Sequence, residues 1–124
     1  MTIRRLAILQ WVGLVLGAVV WAGQHLAGWG LTEVTCDSGT IPWSIQHDLW
    51  QALLMVAAIA LVLVAEAAAV AVLRATRESS YEDSAPLGRL RFFAIAAVAA
   101  NVIFLMIILL DGLAAILNVA CRQA

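Results

Sequence analysis

The chain has 124 residues, 65 % of them hydrophobic and only 12 % charged, with a formal net charge of −1 and a mean hydropathy of +1.00. A soluble domain of this length needs a polar surface that this composition does not supply, so the chain falls in the membrane class. The net charge says nothing about nucleic acid, and the basic residues flank apolar runs and form no patch.

A span of about 20 apolar residues crosses the hydrocarbon core of a bilayer. Three such runs exist, at roughly 6–31, 49–73 and 90–119. They predict a single all-α membrane domain of three transmembrane helices, joined by a loop at 32–48 and another at 74–89. All basic residues are arginine. Arg4 and Arg5 precede span 1, and Arg74, Arg77, Arg89 and Arg91 flank the link between spans 2 and 3. Only Arg122 lies on the other side. Basic residues are retained on the cytoplasmic side. This predicts the N-terminus and the 74–89 loop inside, the 32–48 loop and the C-terminus outside, and a multi-pass protein of a bacterial inner membrane. The start Met1-Thr-Ile-Arg-Arg resembles that of a signal peptide. The apolar run that follows is too long for one, and Trp-Ala-Gly at 21–23 is a poor cleavage site, so span 1 reads as a retained anchor.

Span 1 carries Gln10, Gly13, Gly17 and Gln24 on one narrow stripe at helical spacing. Gly13 and Gly17 form a G-x-x-x-G, which lets another helix approach closely. Amides at both ends of the stripe favour a packed face, since a lipid-facing amide lacks partners. That face packs either on spans 2 and 3 of the same chain or on another subunit.

In the outer loop, Asp37-Ser38-Gly39 signals a turn and Ser44 is a candidate cap for span 2. Trp29, Trp43 and Trp50 lie near the outer boundary and read as an interfacial aromatic belt. Span 2 opens with His47, Asp48 and Gln51 on one face and is broken further on by Glu66, about 26 Å below its outer end. The inner loop is polar and mixed in charge, and Ser84 with Pro86 marks the start of span 3. That span is interrupted only by Asn101, near the midplane, and Asp111, near the outer boundary.

The predicted topology puts Cys36 and Cys121 on the same, oxidising side, where a disulfide clasping the loop over the bundle is the expectation. With His25 and His47 these thiols are also the candidates for a copper or zinc site, or the histidines for haem, although no local Cys-x-x-Cys or His-x-x-x-His spacing supports ligation. Polar groups at depth in a membrane face the bundle interior, pair, or serve a function. Asp111 is within reach of His25, His47 or Gln51, and Glu66 of Arg89 or Arg91. A proton relay from Glu66 through Asn101 to Asp111 has gaps of roughly 15 Å between members. No phosphate-binding glycine loop, nucleophile elbow or zinc-protease motif is present, so an enzyme acting alone is not expected.

Several features together carry a resemblance: Trp21 with Gln24 or His25 late in span 1, Cys36 in the outer loop, and His47 at the mouth of span 2. Arg91-Phe-Phe-Ala94 opens span 3, Asn101 and Phe104 lie in its middle, and Cys121 ends it. This layout, over most of the chain, resembles the small three-span membrane proteins encoded beside bacterial heme–copper terminal oxidases. Ala120 stands where a proline often precedes the last cysteine, and Asp111 where an uncharged amide is usual. The resemblance implies an association with respiration. The expected function is a non-catalytic accessory subunit or assembly factor, with no cofactor of its own. Its partners are membrane lipid and large integral-membrane oxidase subunits, met through the Gln10/Gly13/Gly17/Gln24 stripe or the Asp48/Gln51 face. The alternatives are a copper or haem carrier using the outer cysteines and histidines, and a homo-oligomeric proton or ion pathway built on Glu66 and Asp111.

Overall fold

A computed structural model describes residues 2–36, 46–80 and 82–117. Three helices make up the fold: α1 (Ile3–Cys36), α2 (His47–Ala75) and α3 (Leu87–Leu117). Each is long and apolar enough to cross a membrane; the protein is an all-helical, multi-pass membrane bundle. At 1.5 Å per residue α1 runs about 51 Å, well beyond the roughly 30 Å of a hydrocarbon core.

The contacts fix an up-down-up order. Asn101 of α3 meets Gly13 of α1, and Asp111 meets His25, at sequence separations of 88 and 86. A near-constant separation means that α1 and α3 run parallel. Between α1 and α2 the separation grows from 15 at Thr32–His47 to 23 at Gly28–Gln51, as in an antiparallel hairpin. Arg4, Arg5, Arg74, Arg77, Arg89 and Arg91 therefore lie at one end of the bundle, and Cys36, Gln46 and Leu117 at the other.

The buried positions explain why the helices stay together. Those of α1 are Leu6, Gln10, Gly13, Gly17 and Gln24. Those of α2 include Gln51, Ala58, Val62, Ala65, Ala69 and Val72, and those of α3 include Leu90, Ala94, Ala97, Asn101, Ile108 and Gly112. Apart from Ala68 and Gly88, which are also buried, successive members stand three, four or seven apart, the spacing of left-handed knobs-into-holes packing. Most are small. In lipid there is no hydrophobic gain in bringing two apolar helices together, so close backbone approach and dispersion must do it. Gly13 lets the α2 backbone in: a Cβ there would lie 3.0 Å from both the Cβ and the backbone N of Ala69. Larger residues pack among the small ones in two clusters. Leu6, Val72, Leu90 and Ala94 form one cluster at the arginine end. Ala58, Val62 and Ile108 form another, backed by Trp21, Met55 and Phe104.

Boundaries differ from those predicted. Of the loop expected at 32–48, residues 32–36 belong to α1, which continues to Cys36, and 47–48 to α2. Thr32 and Thr35 donate their hydroxyls to the carbonyls of Gly28 and Leu31, at 3.0 and 2.9 Å; such back-bonding satisfies polar side chains within the helix. The first residue of α2 is His47, with Gln46 at the N-cap and no side-chain cap bond. Ser44 stands two positions too early to cap it, and lies outside the described residues. At the other end α2 runs to Ala75, where Thr76 closes it with backbone and hydroxyl bonds to Val72 O at 3.0 and 2.9 Å. α3 starts at Leu87, the Pro86 carbonyl accepting from Leu90 N at 3.1 Å, as a proline at a helix start allows.

Candidate functional site: a polar seam between the helices

The polar residues of the spans form a seam that follows the bundle axis. At its centre is Asn101, fully buried. Its Nδ2 donates to the Gly13 carbonyl at 3.0 Å. That carbonyl is exposed to a side chain because glycine leaves the helix surface bare. Oδ1 is buried without a partner and lies directly against Gly17, where a Cβ would overlap it and reach Phe104 at 3.2 Å. The two glycines thus have separate tasks: Gly13 admits α2 and offers its carbonyl to α3, and Gly17 makes room for the asparagine.

Gln24 follows two turns on. It is buried, with Oε1 unpartnered. Beyond it, His25 Nδ1 donates to Asp111 Oδ2 at 3.1 Å. The imidazole stacks on Trp21 at 6.2 Å between centroids, and Trp21 in turn packs on Phe104 at 6.0 Å. Both side chains lie at the bundle surface, His25 being 56 % and Asp111 35 % exposed.

The last level joins α1 to α2. Gln51 is 1 % exposed. Its Nε2 donates to the Gly28 carbonyl at 2.9 Å and lies 3.4 Å from Thr32 Oγ1 and 3.3 Å from His47 Nε2. His47 Nε2 is also 3.2 Å from Thr32 Oγ1, and its Nδ1 is 3.3 Å from Asp48 Oδ1. With Nδ1–H donating to Asp48, Nε2 is left to accept from the Gln51 amide. Asp48 itself is exposed.

These placements decide several expectations. The Gln10, Gly13, Gly17 and Gln24 stripe is buried within the chain, on the face of α1 that packs against α2 and α3. Gln51 is buried as well, which leaves only Asp48 exposed on that face. Of the three partners open to Asp111, His25 takes it, while His47 and Gln51 turn to Thr32. Glu66 pairs with neither Arg89 nor Arg91 among the described residues. It is half-buried with Oε2 unpartnered, and Arg91 donates instead to the Thr76 carbonyl at 2.8 Å. Thr76 lies ten residues beyond Glu66, about 15 Å along α2, so the guanidinium that meets its carbonyl is out of reach of the carboxylate. Glu66, Asn101 and Asp111 share no bond, so no relay is assembled from them. Among the described residues no three His, Cys, Asp or Glu side chains converge on a metal-sized site. Cys36 ends α1, and Cys121 lies outside the described residues, as do Trp43 and the turn at 37–39. Trp29 and Trp50 are exposed near the same end.

Three features escaped sequence reasoning. Gly28 and Thr32 act as partners of Gln51. Arg91 caps α2. The small-residue face of span 3 carried a signal in Ala94, Ala97, Asn101 and Gly112, beside the small residues of span 2 at Ala58, Ala65 and Ala69. Comparison with family models, with curated proteins and with solved structures returns no match to this chain.

Proposed function

We propose that this chain is a non-catalytic accessory subunit or assembly factor of a respiratory terminal oxidase in a bacterial inner membrane. The observation that carries the structural half of this reading is the seam. Asn101–Gly13, His25–Asp111 and Gln51–Gly28 tie the helices to one another at successive levels. These three contacts hold the helices as a unit. What faces outward is apolar, for example Val102, Ile103, Met106 and Leu110 on α3 and Leu53, Val56 and Leu63 on α2. A prepacked unit with broad apolar flanks suits docking beside larger membrane subunits, where van der Waals fit drives association. The class of partner rests on the resemblance carried by Trp21, Cys36, His47, Arg91-Phe-Phe-Ala94, Asn101 and Cys121.

In this reading the arginine end faces the cytoplasm, and Cys36 and Cys121 form a disulfide on the outer side. Purification of the tagged protein from its own membranes in mild detergent tests the association. Oxidase subunits in stoichiometric amount, with haem bands in the reduced-minus-oxidised spectrum, are the expected result. A colourless preparation with no large membrane partner overturns it. The clasp has its own test: maleimide adds two masses to the unfolded protein after reduction and none before. Two additions without reductant refute the disulfide and leave the oxidase association standing.

A further inference from the structure

Near the arginine end a cavity of about 350 Å³ lies between α1 and α3, lined by Ile3, Gln10 and Trp11 from α1 and by Arg89, Leu90 and Phe93 from α3. The geometry points to a binding site for one anionic phospholipid, its phosphate held by Arg89 and Arg4 and the start of an acyl chain lying between Trp11 and Phe93.

Charge selects this occupant. Arg89 lines the mouth. Arg4, two turns before Trp11, shares its face of α1. Arg4, Arg5 and Arg89 have no carboxylate partner among the described residues. Of the acids in the 78–83 segment, Glu78 lies 3.7 Å from Arg77, Asp83 Oδ2 accepts from Ser80 N at 2.7 Å, and Glu82 is exposed. Arg89 at the mouth, with Arg4 on the same face of α1 as Trp11, and an apolar slot between Trp11 and Phe93 match a phosphate above hydrocarbon.

Gln10 supplies an independent pointer. It is 5 % exposed, it lines the cavity, and no hydrogen bond to it exists among the described residues. A buried amide without partners is costly in lipid surroundings. It lies about 9 Å along the helix from Arg4, below the phosphate level, where the ester carbonyls of a glycerophospholipid sit. The Gln10 amide donates to one of them. Phe93, held edge-on by Phe92 at 5.5 Å between centroids, forms the apolar wall beneath.

Native mass spectrometry of the full chain tests this, after delipidation and exposure to equal amounts of diester phosphatidylglycerol, its diether analogue and diester phosphatidylcholine. Retention of one phosphatidylglycerol per chain is expected, with diester preferred over diether and phosphatidylcholine lost. Arg4→Gln with Arg89→Gln should lower phosphatidylglycerol retention about tenfold. Gln10→Leu should abolish the diester preference while keeping the preference for the anionic headgroup. Ala7→Trp, at the cavity wall, should prevent retention of every lipid, with helix content checked by circular dichroism. Equal retention of phosphatidylcholine, or phosphatidylglycerol retention indifferent to the two arginines, overturns the headgroup assignment. Equal diester and diether binding by the unaltered chain overturns the role of Gln10. A dimer that disappears in Ala7→Trp identifies a second copy as the occupant and overturns the lipid.

Discussion

Gly17→Ala is expected to destabilise the bundle by about 2 kcal/mol, in the range for overpacking a filled interior, and Asn101→Ala is expected to cure most of the damage. The added methyl overlaps Asn101 Oδ1 and approaches Phe104 to 3.2 Å. Neither neighbour has room: Asn101 is fully buried and anchored to Gly13, and Phe104 is held by Trp21. Asn101→Ala alone loses one interhelical hydrogen bond, worth about 0.6 kcal/mol on average in membranes. It also removes a buried oxygen that has no partner, which offsets part of that loss. The double variant should therefore be more stable than the sum of the singles by about 1 kcal/mol or more, a coupling that only residues in contact show. Reversible unfolding in mixed micelles measures all four corners. Strict additivity would mean that Gly17 and Asn101 do not meet, and with it the parallel register of α1 and α3 would be wrong.

Gln51→Leu should open the opposite end. Its Nε2 donates to the Gly28 carbonyl and lies among Thr32 and His47. Leucine keeps the bulk and removes the donor, stranding His47 Nε2 without the amide. A loss of about 1–2 kcal/mol is expected from a buried hydrogen bond broken on one side. The effect should be local. Amide hydrogen exchange should accelerate around Gly28–Thr32 of α1 and His47–Gln51 of α2, while the Gly13–Ala69 region stays protected. Uniform acceleration along the bundle would show that this network holds the whole fold, not one end of it.

The contrast between these two sites shows what was legible beforehand. In span 1 the glutamines and glycines stand out against leucine and valine, so the buried stripe could be seen in the residues themselves. In spans 2 and 3 the buried face is mostly alanine set among alanine and valine. Lipid-facing and neighbour-facing residues are equally apolar in a membrane, so hydropathy carries no contrast and residue size is the remaining signal. Loop boundaries were misplaced for a related reason. Thr32, Glu33 and Thr35 look like loop residues, yet a helix leaving the bilayer keeps its backbone bonds, and the threonines bond to their own preceding turn.

By itself the sequence determined three apolar spans, the gathering of arginines at the ends that an up-down-up chain brings together, and the packed character of the Gln10–Gln24 stripe. Those follow from the length of an apolar run and from the cost of stranding an amide in hydrocarbon. Tertiary structure alone decided the partners. Whether Asp111 met His25, His47 or Gln51 depended on the axial register of three helices, fixed to within one residue by Gly13 against Ala69 and Gly17 against Asn101. Arg91 went to the Thr76 carbonyl and left Glu66 unpaired for the same reason. Side-chain pairing needs atoms within about 3 Å, whereas one step along a helix is already 1.5 Å with a 100° turn. Composition and spacing therefore name the polar groups, and only the packed register says which of them touch.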